Sequence, residues 1–301
     1  MNSARKLLIT GATGKQGGAV IDALLSHPSG HLYEIYALTR SKTSPKAQAL
    51  ASNPKVSLIQ GNLDDCTAIF SQISKPWGVF SVQLPIPNAK VEERRGKALA
   101  DASAAAGVQH FVYTSADRGG TARSDADPTK IAHVVSKYNI EKHIQQMPAV
   151  TSHKMDWTVL RPVAFMENLT PNFFGKAFAT MWRLNGVDRR LQLIATKDVG
   201  RIAAEVFVNP ERYSGKAISL AGDDLSPREA NSIFKQQIGY DMPLTYNFMA
   251  QGLKSVFHKQ LGSMFERFKE VGFGADVEKL RQDYPDMQSF GTWLKESSGF
   301  R

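Results

Sequence analysis

The residues most suited to chemistry lie near the start of the chain, in Thr10-Gly11-Ala12-Thr13-Gly14-Lys15-Gln16-Gly17-Gly18. Glycines at 11, 14 and 17 follow an apolar strand and open a helical stretch. Gly11 suits a tight turn, Gly14 lets a pyrophosphate approach the backbone, and Gly17 lets helix and strand pack closely. The helix N-terminus adds oriented amides and partial positive charge for an anion. The loop Gly11, Ala12, Thr13, Gly14, Lys15, Gln16 and Gly17 is therefore expected to cradle a dinucleotide.

A second signal stands at the end of the next strand, Leu38-Thr39-Arg40-Ser41-Lys42. NAD-preferring folds carry Asp or Glu there for the ribose hydroxyls. Here the place holds Arg40, with Lys42 behind it. A guanidinium can grip a 2′-phosphate through two bonds. NADP(H) is the expected cofactor, and an exposed surface arginine is the alternative.

These residues need a frame. Leu7–Thr10, Tyr33–Thr39, Val56–Gln60, Val79–Val82, His110–Ser115 and Trp157–Leu160 read as six buried strands. Helical stretches alternate with them, including Ala47–Ala51 and Lys97–Ala106, the latter closed by Gly107. That alternation implies right-handed crossovers and a doubly wound parallel α/β sheet of Rossmann type. Further units near Ile202–Val208 and Ile218–Leu220 are expected to return to the sheet. Arg118–Pro128, with Gly119-Gly120, reads as a mobile loop.

Composition bounds the function. The 301 residues are 42% hydrophobic and 22% charged, which excludes a mostly disordered chain. The single cysteine, Cys66, rules out an intrachain disulfide or a multi-cysteine zinc site. No early apolar run is long enough for a signal peptide, and none approaches the roughly 20 residues of a membrane span. A cytoplasmic protein without a membrane partner is expected. The net charge of +9 suits an acidic partner or an anionic ligand. No run of five basic residues and no zinc-finger spacing is present, so direct nucleic-acid binding is not expected.

Taken together, Gly11-Ala12-Thr13-Gly14-x-x-Gly17-Gly18, Trp157-Thr158-x-Leu160-Arg161-Pro162 and Phe165-Met166-Glu167-Asn168-Leu169 resemble the NmrA-like family. Asp198-Val199-Gly200-Arg201, Pro210–Lys216 and the tail from Met264 to Leu294 fit as well. That family belongs to the atypical short-chain dehydrogenase/reductases. The resemblance implies a Rossmann domain over 1–162, with return segments near 191–220. A smaller, discontinuous α/β lobe would comprise 163–190 and 221–301. Family members include NADPH-dependent reductases, NADP(H)-binding redox sensors and a repressor that binds a GATA-type transcription factor.

Topology and resemblance together assign further cofactor contacts. Asn62 and Leu63 should border the adenine. Val82, Gln83 and Leu84 should border the nicotinamide side, with Phe165, Glu167 and Asn168 at the nicotinamide end. Ser115 ends the fifth strand, where a reductase places its carbonyl-polarising hydroxyl; a turn-capping hydroxyl is the alternative.

The wider superfamily uses Tyr-x-x-x-Lys, and Tyr138-x-x-x-Lys142 matches it literally. The NmrA-like pattern instead places its lysine in Lys-x-x-x-Glu, which fits Lys137 and Glu141. Adjacent helix positions differ by about 100°, so Lys137 and Tyr138 cannot face one cleft. In this register His133 stands one turn before Lys137. His133 could donate a proton, and Lys137 could hold the ribose or polarise a carbonyl. Whether His133 or Tyr138 is the functional helix residue stays open.

Phe173–Trp182 reads either as an apolar lid or as a core helix, and Phe257, Met264, Phe265 and Phe268 read as core. No metal-ligand spacing is present. The reading is an NADPH-dependent oxidoreductase reducing a small carbonyl, imine or activated alkene, with an apolar or ring-containing substrate and a place in secondary metabolism. The alternative is an NADP(H)-sensing regulator that binds a transcription factor or another acidic protein, with a nuclear location as its corollary.

Overall fold

The computed structural model describes residues 4–84, 88–150, 155–256 and 262–300, with backbone alone at 148–150 and 253–256. Phe257 lies outside the described residues. The chain divides into two units. The first comprises Met1–Ser115, Val135–Arg161 and Val199–Ile218; the second comprises Ala116–Val134, Pro162–Asp198 and Ser219–Arg301.

The first unit opens with strand β1 (Arg5–Ile9), helix α1 (Lys15–Ser26), β2 (Tyr33–Thr39) and α2 (Pro45–Ala51). Then follow β3 (Val56–Gln60), α3 (Cys66–Phe70), β4 (Gly78–Ser81), α4 (Ala89–Ala105) and β5 (His110–Thr114). Side-chain oxygens of Ser44, Asp65 and Asn88 cap α2, α3 and α4. Each cap satisfies an amide that the first helical turn would otherwise leave unpaired.

Strands β1 to β5 stand in the order β3-β2-β1-β4-β5, and each neighbouring pair is parallel. The order reverses between β1 and β4. In a doubly wound sheet the ligand crevice lies outside the carboxyl ends at that reversal. Leu7, Leu8, Ile9, Val79, Phe80, Phe111 and Val112 are fully buried, as helices on both faces require.

The stretch 118–128 is no bare loop. It contains helix α5 (Thr121–Ala126), and Arg118 is almost wholly buried. Its guanidinium donates to the carbonyls of Ser124 and Ala116, and the Asp117 carboxylate accepts from the amides of Gly119 and Gly120. This hydrogen-bonded network stitches down the segment that glycine content alone marked as mobile.

Next come α6 (Ala132–Val150) and β6 (Asp156–Pro162), the latter parallel to β5. In the second unit follow β7 (Ala164–Phe165), α7 (Phe173–Leu184) and β8 (Leu191–Ile194). β8 lies inside the stretch 191–220 expected to return to the first domain. It pairs instead with β7 and with a later strand of the second unit. All four residues of β8 are buried, with Leu191 and Leu193 in the core of the second unit.

Helix α8 (Thr196–Val208), α9 (Pro210–Tyr213) and β9 (Lys216–Leu220) follow, and β9 stands beside β6 as the seventh strand of the large sheet. Ile202–Val208 is thus part of a helix rather than a strand. β10 (Asp223–Leu225) runs antiparallel to β8. The chain closes with α10 (Pro227–Ile238), α11 (Asn247–Val256), α12 (Ser263–Glu270), α13 (Val277–Asp283) and α14 (Phe290–Glu296). A Ser226/Glu229 capping box starts α10, and left-handed Gly239 ends it.

Phe178, Met181 and Trp182 of α7 are buried with Phe234, Phe265, Phe290 and Trp293 in the core of the second unit. Met264 and Phe268 pack against that core. Among the described residues no helix is long and apolar enough to cross a membrane.

Candidate functional site

A cleft of about 460 Å³ opens at the strand reversal of the first unit. It is lined from β1 and the following loop by Thr10, Gly11, Thr13 and Gly14, and from the end of β2 by Leu38, Thr39 and Arg40. The end of β3 adds Gly61, Asn62 and Leu63, the end of β4 adds Val82, Gln83 and Leu84, and α4 adds Arg95. Ala12, Lys15, Gln16, Gly17 and Lys42 stand close to these residues in sequence.

The glycines have steric reasons to be there. Gly11 adopts φ +59°, and a Cβ on it would meet Val82 Cγ1 at 2.6 Å. A Cβ on Gly17 would lie 2.4 Å from the Gly11 carbonyl oxygen. Gly14 is the N-cap of α1 and supplies no side-chain cap, so no capping side chain stands over the first turn. Thr10 ties the ends of β1 and β4 together. Its hydroxyl donates to the Val82 carbonyl (3.2 Å) and accepts from the Val82 amide (2.8 Å). Thr114 Oγ1 donates to Gln16 Oε1 (2.8 Å), fixing the start of α1 against the end of β5.

The cleft is electropositive. Among the described residues two guanidiniums and no carboxylate line it. Arg40 is exposed and has no carboxylate partner among the described residues, and Lys42 is exposed behind it. Arg95 differs: Asp64 takes its Nε at 3.0 Å and its Nη2 at 2.5 Å. Arg94 also donates to Asp64, and the two arginines hold the Asp64 carboxyl down at about 2. Sequence reading missed Arg95 and Asp64. They stand 31 residues apart, and nothing in local periodicity joins them.

Gln83 supplies the sharpest test of what the cleft suits. It is 4% exposed, and its Nε2 donates to Ser81 Oγ at 2.7 Å. Its Oε1 is buried with no hydrogen-bond partner among the described residues. A buried acceptor left unmade costs about 1–3 kcal/mol, so this oxygen suits a ligand N–H or O–H. An uncapped helix start and the Arg40 guanidinium offer donors to phosphates, and the Gln83 oxygen offers an acceptor to a base, ribose or amide N–H or O–H of the same nucleotide.

Helix α6 carries the other candidates. Lys137 Nζ donates to Glu92 Oε1 at 2.6 Å, and Ser136 Oγ donates to Glu92 Oε2 at 2.5 Å. Glu92 is fully buried, and the Lys137 side chain is 16% exposed. Sequence reading did not foresee this acceptor. Ser115 Oγ donates to Glu141 Oε2 at 2.8 Å, and Arg161 pairs with Glu141 Oε1, both members fully buried. The Ser115 hydroxyl hydrogen is thus directed at Glu141. Tyr138 faces Lys142, whose Nζ lies 5.4 Å from the ring centroid. His133 lies in the first turn of α6 and is half-buried.

Phe165, Glu167 and Asn168 belong to the second unit. Phe165 pairs with Ile194 in the small sheet. Glu167 Oε1 accepts from the amide and hydroxyl of Thr196, capping the start of α8. Asn168 is exposed. Among the described residues no group of three or more His, Cys, Asp or Glu could hold a metal ion.

Comparison with known proteins matches this architecture. The model of the NmrA-like family covers residues 3–290. The NmrA-like family domain-containing oxidoreductase FrzB of Cladobotryum sp is 28% identical over 241 residues, 70% of this chain and 67% of that protein. The crystal structure of NmrA, a negative transcriptional regulator, in complex with NADP superposes with a TM-score of 0.74 at 17% identity, covering 99% and 96% of the two chains. The NADPH-dependent quinone oxidoreductase QOR2 of Escherichia coli, complexed with NADPH, gives 0.70 at 22% identity, covering 96% and 98%. At these identities the two structures are alike in fold.

Proposed function

The chain belongs to the NmrA-like family, and from that premise we propose that it is an NADP(H)-dependent oxidoreductase. Its substrate would be a small carbonyl, imine or activated alkene carried on an apolar or ring-containing molecule. The observation that carries the cofactor reading is Arg40 at the end of β2, lining the cleft without a carboxylate partner among the described residues. A carboxylate there would favour ribose hydroxyls and repel a 2′-phosphate; a free guanidinium does the reverse.

Gly11, Gly14 and the start of α1 would hold the pyrophosphate. Asn62 and Leu63 would border the adenine, and Gln83 Oε1 would accept a hydrogen bond from the ligand. The bound cofactor supplies the hydride. Lys137 carries three ammonium hydrogens, of which Glu92 takes one, so it retains donors for a ribose or a developing oxyanion. His133, one turn earlier on α6, would supply the proton. Phe165, Glu167 and Asn168 would serve the nicotinamide end.

Support for oxidoreductase chemistry comes from FrzB, which is named as an oxidoreductase, and from the fold shared with QOR2. The likeness to NmrA favours a second reading, an NADP(H)-binding regulator with a protein partner.

The test is loss of NADPH absorbance with a panel of quinones, cyclic imines and enones, using wild type and Lys137→Ala. Turnover of at least one class, reduced in the variant, supports the enzyme. No turnover, together with a protein partner whose affinity differs between NADPH and NADP⁺, would establish the regulator instead.

A further inference from the structure

The end of β4 stands on one side of the strand reversal and the end of β2 on the other, with β1 between them. At the strand spacing of a sheet those two ends are about 10 Å apart. A dinucleotide laid across the reversal, with its pyrophosphate at the start of α1, places one nucleoside on each side. Arg40, at the end of β2, takes the adenosine half that carries the 2′-phosphate. The nicotinamide half then falls to the end of β4, where Gln83 lines the cleft.

Gln83 is fixed by its neighbours. Two hydrogen bonds to Thr10 tie the preceding residue, Val82, to the end of β1 beside the glycine loop. Fully buried Ser81 takes a hydrogen from Gln83 Nε2 at 2.7 Å. That bond sets the amide so that Oε1 is the atom left unpaired among the described residues. An oxygen in water would lose nothing by this, but Gln83 is 4% exposed. The acceptor is thus held ready at a cost to the free protein, and a ligand donor removes that cost. The nicotinamide half offers ribose hydroxyls and a carboxamide N–H, whereas the pyrophosphate offers no donor.

We propose that Gln83 binds the nicotinamide riboside half by accepting a hydrogen bond from it at Oε1, and that Ser81 is the positioning residue that sets the amide for this. The proposal rests on the reading of the cleft as an NADP(H) site and adds two things to it. The contact belongs to one half of the dinucleotide and is independent of Arg40. It is also maintained at the expense of stability in the free protein. A purely structural glutamine would do the reverse, because its removal would lower that stability.

The test combines thermal unfolding of the free protein with calorimetric binding of NADPH and of adenosine 2′,5′-bisphosphate, the half that lacks the nicotinamide riboside. Wild type is compared with Gln83→Met and with the double variant Ser81→Ala, Gln83→Met. The double variant replaces both hydrogen-bonding side chains by apolar ones, so its free form should unfold at or above the wild-type temperature. It should bind NADPH about 5- to 100-fold more weakly and the bisphosphate as wild type does. Gln83→Met alone should show the same split between the two ligands. A lower unfolding temperature in the double variant, or its failure to fold, would make the glutamine structural and overturn the proposal. Equal loss of both ligands, or unchanged NADPH binding, would overturn it while leaving the cofactor reading in place. Wild type that binds neither ligand would instead reject the cofactor reading itself, and the role of Gln83 with it.

Discussion

Lys137 Nζ sits 2.6 Å from Glu92 Oε1, and that carboxylate is wholly removed from solvent. The pair joins α6 to α4 across 45 residues of sequence. Ser136 takes the second oxygen, so two consecutive residues of one helix satisfy a single buried acid. Whatever Lys137 does for a ligand, it also neutralises a charge that could not otherwise stay inside.

Lys137→Met should therefore destabilise the fold by about 3 kcal/mol, because it leaves Glu92 buried without a counter-ion. Adding Glu92→Gln should recover a large part of that loss, since the amide needs no counter-ion. Urea unfolding of the two single variants and the double variant measures the coupling. Strict additivity of the single effects would show that the pair carries no energy of its own.

His110 sets a pH dependence. Burial, against a smaller opposing pull from Asp156, lowers its pKa from 6.5 to about 4. Thr158 Oγ1 donates to the Tyr213 carbonyl, so it accepts from His110 Nε2, and the neutral ring carries its hydrogen there. As pH falls the unfolded chain binds this proton first. The contribution is complete above about pH 6.5, is lost progressively down to about pH 4, and is level below that. It amounts to about 3 kcal/mol. Denaturation across that window should show a shallower slope in His110→Gln than in wild type. Parallel slopes would mean that His110 does not titrate as its burial demands.

Cys66 should be inert in the folded protein. Burial, helped by Asp65, Asp64 and Asp101, pushes its thiol up to about 11, leaving little thiolate at neutral pH. Alkylation by iodoacetamide at pH 8 should be slow in native protein and fast in denaturant. Equal rates in the two states would contradict this.

How much of this is legible in the sequence varies by scale. The glycine loop and β1 to β6 are readable because each is a local pattern: β-branched runs, turn residues, and short apolar strands. The small sheet is not, because β7 has two residues and β10 three, too short for any periodicity. The reading of 118–128 as a loop missed α5 because Arg118 looks like a solvated charge until its carbonyl partners are known. The same holds at the candidate site. Arg40 is marked by its place at a strand end. The burial of Glu92 and the Asp64–Arg95 pair arise only where distant helices and loops meet, and charged residues on α4 read in isolation as a solvated face.

The account turns on Arg40. The most direct measurement is titration of wild type and Arg40→Ala with NADPH and with NADH in one buffer. Wild type should bind NADPH about 10- to 150-fold more tightly than NADH, the range expected of a charge-assisted grip on the 2′-phosphate. Arg40→Ala should close that gap by weakening NADPH alone. Equal affinity of wild type for the two nucleotides, or equal losses in the variant, would contradict the assignment of this cleft to NADP(H).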